Sequence, residues 1–456
     1  MAVRFSRHLP VAIVLIVVVL GFISLSCGKS GRSPAAKSEP AFDSPYLPLL
    51  EGAAQTIGDA PIAAFGECSH YTQVLHDFAN DLFRYLAEKK GFRVFMLESA
   101  WAANDYLTEF VNSDRPAIEG WMSVYLNAFG SARTEQTLLY IRDFNKKHPD
   151  DPIVIAGMQP EQPWTDYREL NATLARAGLG LPADIRSLIE RVVFNGKTFE
   201  HDIDVIGFHG GMSRRKERIL TEPDLAALTA ALDRIDGFLK DNEPAISGKA
   251  SAAAFKEAKL RVLGLRFYGL IVLPMRDFYA FTEKPDPVQV EKFGHDGYQF
   301  GDMFRFEIIK TQRETRFPGK KIFIWMHSWH AAKASESINC TIPGQPPLGT
   351  TSLGTRLFRE YGPDYRVVTS VVAAPAAFVY PPGVVTIDNA FQRVFGAKPA
   401  YVDIHRLAPG QEKLPLDQML PQYSHIDGEY GGGTVLKDQF DGIAYFPGSD
   451  LTIKKK

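Results

Sequence analysis

The stretch PIAAFGECSH, residues 61–70, is the one on which the reading of this chain turns. Its apolar run has the length and composition of a fully buried strand. It ends on a carboxylate and an imidazole three positions apart, Glu67 and His70. A buried strand that finishes this way carries either a satisfied polar cap or half of a reaction centre.

Moving outward, TQVLHDFANDLFRYLAEKKG (72–91) has helical spacing, with Val74, Leu75, Phe78, Leu82 and Leu86 on one face and Gly91 as the stop. RVFMLES (93–99) is a second short strand. Helical patterns follow over 102–111 and 134–147, and PIVIAGMQ (152–159) is a third strand. This β-α-β-α-β order predicts an α/β fold, a central mainly parallel mixed sheet flanked by helices. From about 165 to 290 the patterns are helical and rich in Ala, Leu, Arg and Glu, as in LAALTAALDRIDGFLKD (225–241). They predict a helical insertion. Strand and helix patterns then resume with KIFIWMH (321–327), LGTRLFREYG (353–362) and YRVVTSVVAA (365–374), followed by a Pro/Gly-rich remainder with short strands.

The chain has 456 residues, 45% of them hydrophobic and 23% charged, with a net charge near −2. That composition is ordinary for a globular protein and gives no general pull toward nucleic acid. The N-terminus stands apart. Arg4 and Arg7 precede LPVAIVLIVVVLGFISLSC (9–27), which has the basic and apolar regions of an export signal. Cys27 falls where a lipoprotein signal is cut and acylated. The segment resembles a bacterial lipobox, with Leu25 two positions before the Cys rather than three. The polar GKSGRSPAAKSEPA that follows reads as a tether. The expected organisation is a signal over 1–27, a linker over 28–43 and a catalytic domain over 44–456. The folded part is expected outside the cytoplasm, held to the membrane through Cys27 or an uncleaved anchor. Only Cys68 and Cys340 remain, which is not a disulfide framework, and whether they pair is left open.

Four expected strands end on polar residues: Glu67, Glu98, Gln159 and His327. Ligands of open parallel sheets bind beyond the carboxyl ends of the strands. If these strands are neighbours, two Glu and several His converge, with His70 just after Glu67 and His330 three after His327. Any one of them alone is most simply a cap or a solvated side chain; the set points to a site. A His held by a carboxylate can take a proton from water. A second His can protonate a leaving group or hydrogen-bond an oxyanion. Glu67, His70, Glu98 and His327 could instead ligate a divalent metal such as zinc, although the HxxH spacing is a poor match to the zincin HExxH helix. Cys68 offers a third option as a thiolate, against its simpler reading as a small buried thiol.

With these pieces in order, the chain resembles the erythromycin esterase family. The resemblance rests on GECSH (66–70), GF (91–92) with Glu98, RDFN (142–145) leading to IAGMQ (155–159), WMHSWH (325–330) and SLGTRLFREYGPDYRVV (352–368). It implies a hydrolase without a required cofactor, acting on a small-molecule ester or lactone. It implies His70 as the general base and Glu67 as its orienting partner, with Glu98, His327 and His330 lining a deep cleft. Where the macrolide esterases carry an Arg nine positions after the motif His, this chain has Ala79, and the familiar His-Asn pair is His327-Ser328. A substrate other than a macrolide is therefore expected, with Arg84, Arg305 and Arg356 as candidate replacement cations. Trp101, Trp164, Trp325 and Trp329 are candidates for apolar walls or for core packing. The alternatives are a metal-dependent hydrolase built on the same cluster and a lipoprotein that binds a small molecule without turning it over.

Overall fold

In the computed structural model, the residues described are 42–448 except 71, 102–103, 114–125, 127–128, 161, 206–219, 277–286, 339–348, 374–384 and 424–429. Cys27, Cys340 and the export segment expected over 1–27 lie outside the described residues. From Asp43 onward the chain clusters as one unit.

The apolar runs near the opening motif all form strands. They are β1 (Ile62–Glu67), β2 (Phe92–Ala100), β3 (Val154–Gln159), β4 (Lys321–His327) and β5 (Tyr365–Val372). Short strands follow as β6 (Ala400–Asp403), β7 (Met419–Tyr423), β8 (Tyr430–Val435) and β9 (Gly442–Phe446). Seven of them make one sheet in the order β3-β2-β4-β1-β5-β9-β6, and β7 pairs with β8 apart from it. All pairings within the large sheet are parallel except β6 with β9 at one edge. The fold is thus α/β with a mainly parallel mixed sheet.

Every residue of β1 is buried. That is possible because helices cover both faces, which is also why the strand reads as an unbroken apolar run. The helix Gln73–Lys90 follows β1 and stops at Gly91, which takes a left-handed conformation (φ 72°) and donates its N–H to the Leu86 carbonyl. Glycine adopts this conformation without the Cβ clash that other residues meet.

Between β3 and β4 the described residues are helical rather than extended. Helices occupy Pro163–Arg176, Ala183–Val192, Glu222–Asp241, Glu243–Lys249 and Ala252–Phe267, the last running into a π turn over Tyr268–Val272. A final long helix spans Pro287–Thr315, well past the limit near 290 that the sequence pattern suggests. These helices share one apolar core with the sheet: Leu170, Leu228, Leu265 and Ile308 belong to the same cluster as Ile62, Val94 and Ile324. A buried pair also ties them down. Arg261 donates to Asp166 at 3.1 Å and stacks 3.9 Å above the Trp101 ring at the end of β2.

Candidate active site

The strand order puts β1, β4 and β2 side by side, so three of the four polar strand ends meet. Glu67 of β1 is in register with His327 of β4, and Leu97 of β2 with Trp325 of β4. Gln159 ends the edge strand β3 opposite Ala100, separated from β1 by β2 and β4.

Glu67 is fully buried, and each of its carboxylate oxygens is engaged. Oε1 lies 2.6 Å from His70 Nδ1, and Oε2 accepts the Trp325 indole N–H at 2.7 Å. The His70 side chain keeps 22% of its surface exposed, against none for Glu67. Burial pulls the His70 pKa down, but the hydrogen bond and charge of Glu67, with the charge of Glu98, outweigh it and raise the pKa above its ordinary value. The His70 ring also meets Phe129 edge-on at 5.4 Å and His327 at 5.2 Å.

His327 is held differently. Its Nδ1 accepts the Trp329 backbone N–H at 3.3 Å, and its ring also bonds to the backbone of Cys68. Burial, with the charges of His70 and His330 nearby, pushes its pKa down to about 3. His327 is therefore neutral near pH 7.

A second carboxylate–imidazole group lies beyond it. His330 Nδ1 is 2.9 Å from the Asp302 carboxylate, and His330 Nε2 is 3.2 Å from Glu98 Oε1. Glu98 Oε2 accepts the His327 backbone N–H at 2.9 Å. Arg305 donates to Asp302 at 2.5 Å and approaches Glu98 at 3.6 Å. Burial alone would raise the Glu98 carboxyl, but His330, Arg305 and His70 hold it at about 2. Asp302, fully buried, is likewise lowered against its burial by His330 and Arg305. Its Oδ2 also accepts the Leu353 N–H at 2.9 Å, joining the site to the helix Leu353–Tyr361.

The five candidate residues therefore stand together: Glu67 with His70, then His327, then His330 with Glu98. Asp302 is an addition that the sequence pattern did not single out. It lies on the helix Pro287–Thr315, and its only sequence signal is the spacing of Asp302 and Arg305, three apart on one helical face. Of the three candidate cations, Arg305 is in the site. Arg84 stacks over Tyr140 instead, and Arg356 is half-buried within electrostatic reach of Asp302. Ala79 is fully buried on the helix after β1.

The tryptophans divide. Trp325 is core and also holds Glu67, and Trp329 stacks edge-on against Tyr298 beside His330. Trp101 packs under Arg261, and Trp164 packs against Phe194 and Phe199 among the inserted helices. The Cys68 thiol is pushed up to about 12 by burial, so it is no nucleophile near neutral pH.

As a metal shell the four residues fit poorly. Both oxygens of Glu67 and Nδ1 of His327 already serve protein donors or the His70 ring, and Glu98 Oε2 serves a backbone N–H. Among the described residues no group of three His, Cys, Asp or Glu side chains is arranged to hold an ion.

Comparison with known proteins agrees with this picture. A Bacillus cereus protein of known structure superposes with a TM-score of 0.63 at 16% identity, covering 87% of this chain and 91% of that one. A succinoglycan biosynthesis protein gives 0.59 at 19% identity, with coverages of 89% and 92%. A mutant of the erythromycin esterase EreC, in its open conformation, gives 0.60 at 16% identity, with coverages of 89% and 93%. At these identities the likeness is one of fold. No curated protein sequence matches the chain. The family profile described as erythromycin esterase matches residues 87–448, so it takes in Glu98, Asp302, Arg305, His327 and His330 and begins after Glu67 and His70. Across that span, and with this sheet beneath it, the chain belongs to the erythromycin esterase family.

Proposed function

We propose that this protein hydrolyses a carboxylic ester or lactone with water activated by His70, without a metal and without a covalent intermediate. Family membership supports a hydrolase. The observation that carries the finer reading is the 2.6 Å contact between Glu67 and the Nδ1 of a partly exposed His70. Glu67 holds the ring in one orientation and raises its basicity, leaving Nε2 as the nitrogen that takes the proton from water. The water oxygen bonds to the ester carbonyl carbon, the carbon–alkoxide bond breaks, and the proton passes to the departing alkoxide. His330, bracketed by Asp302 and Glu98 and accompanied by Arg305, stabilises the charge on the departing side. His327 is the spacer between the two groups, since its neutral ring is already hydrogen-bonded.

The replacement of the macrolide-esterase Arg by buried Ala79 supports a natural substrate other than a macrolide. Cys27 and the apolar run before it support export and a lipid anchor at the cell envelope. Among the described residues no helix is long and apolar enough to cross a membrane.

A panel of activated esters, tested on the domain from Ser44 onward after chelation, decides the mechanism. Turnover is expected to persist after metal removal, and His70→Ala is expected to lower it by about 10²-fold or more, the scale of a lost general base. Activity restored only by zinc or manganese would instead assign the cluster to a metal. Ligand-induced stabilisation without turnover of any ester would assign it to binding.

A further inference from the structure

One buried histidine beside the site has no part in the hydrolytic reading. His76 sits one turn into the helix Gln73–Lys90 and is fully buried. Its Nε2 lies 2.8 Å from the main-chain carbonyl oxygen of His70. A carbonyl only accepts, so Nε2–H is the donor of this bond. Its Nδ1 is buried with no partner among the described residues. The ring meets Trp325 edge-on at 4.8 Å.

These contacts close a circuit. His76 holds the backbone of His70; His70 Nδ1 is held by Glu67; Glu67 is held by Trp325; and Trp325 packs against His76. The chain between β1 and the helix is short and carries His70 on no regular element. We infer that His76 is a positioning residue: through its Nε2–H bond to the His70 carbonyl it sets the distance and orientation of His70 against Glu67. This rests on the reading of His70 as the base, and it concerns a residue that no part of that reading requires.

The test compares His76→Leu with His76→Gln, whose side-chain amide can place an N–H where Nε2 stands but cannot replace the ring packing. His76→Asn, too short to reach the carbonyl, is the polar control if the leucine variant does not fold. Two readouts are used: steady-state kinetics on an activated ester, and the His70 titration followed by NMR of histidine-labelled protein, which needs no turnover. In His76→Leu, or in the asparagine control, kcat falls about 10- to 100-fold with KM within about twofold, the scale of a misplaced catalytic group. The His70 titration midpoint moves down toward its ordinary value, because the contact with Glu67 that raises it is loosened. His76→Gln restores both. An unchanged His70 midpoint in the leucine variant, with only thermal stability lost, overturns the inference. So does a glutamine variant no better than leucine, since ring packing would then be what matters. If the wild type turns over no ester, the hydrolytic reading fails, while the NMR titration still decides the role of His76.

Discussion

Glu67 holds its position through two partners of different kinds, and this explains why one carboxylate can be buried without remaining a liability. An unpaired buried carboxylate is costly; one with a hydrogen bond on each oxygen is not. The Trp325 N–H satisfies Oε2 and leaves Oε1 for His70. The same arrangement fixes the pH behaviour. A general base works when neutral, and the His70 pKa is raised, so activity falls as pH drops through a midpoint above 6.5. Glu67→Gln weakens the hydrogen bond and removes the charge that, with Glu98, outweigh burial at His70. Its acid limb is expected to shift to lower pH, with kcat at the plateau reduced at least about tenfold. A kcat/KM profile between about pH 5 and 9 checks this, and a limb that stays in place would show that Glu67 does not set the basicity of His70. The candidate residues were legible at this scale because Glu67, Glu98 and His327 each end an apolar run, and His70 and His330 follow two of those ends by three positions. Asp302 was not, because it lies within a helix rather than at a strand end, and a buried Asp in a helix looks in sequence like a surface residue. Arg305 was one of three candidates, and its contacts to Asp302 and Glu98 separate it from Arg84 and Arg356.

The elements meet at a close approach that allows no added carbon. A Cβ on Gly66 would stand 2.9 Å from Ser328 Cα and 3.2 Å from Ala331 Cβ, so the end of β1 lies directly against the short helix Ser328–Ala331 that carries His330. Gly66→Ala must push these apart. A loss of about 1–3 kcal/mol is expected from the overpacking, and activity is expected to fall further than stability alone explains, since the displaced helix bears a site residue. Thermal melting with turnover measured well below the transition tests this; an unchanged melting temperature would show that the contact relaxes freely. The elements around this junction could be read because they carry strong local signals: unbroken apolar runs for β1, β2 and β4, and Gly91 ending the helix between the first two. Two others could not. The helix Leu47–Ile57 precedes the motif without a side-chain cap. The helix Pro287–Thr315 turns polar residues inward, with Asp302, Arg305 and Gln312 all buried, so its pattern does not separate an apolar face from a polar one. Gln312 donates to the Gly157 carbonyl of β3, which accounts for one of these inward polar groups. The order of the strands was also beyond the sequence: convergence of Glu67, Glu98 and His327 depends on β4 inserting between β1 and β2, which no local pattern states.

For the whole molecule, the buried charges of the site couple folding to pH in opposite directions. His70 has a raised pKa, so its contribution is fully present below about 6.5 and is lost as pH rises through the folded value. Glu98, held near 2, contributes above its ordinary 4.5 and loses that contribution as pH falls toward 2. Asp302 acts in the same direction. His327, held near 3 against an ordinary 6.5, stabilises the fold fully only above 6.5 and loses this as pH falls toward 3. The acid side therefore carries three contributions and the basic side one, so the melting temperature should decline steeply on acidification from neutral pH. His327 begins that decline earliest, because its window opens at 6.5 while those of the carboxylates open lower. His327→Asn keeps an acceptor for the Trp329 N–H and removes the titration. Its melting temperature is expected to start lower at pH 7 but to vary less between pH 6.5 and 4.5 than that of the wild type, a window bounded by the ordinary values of His327 and Glu98. Parallel curves for the two proteins would mean that His327 keeps the same protonation in the folded and unfolded chain, and would remove the neutral spacer from the account of the site.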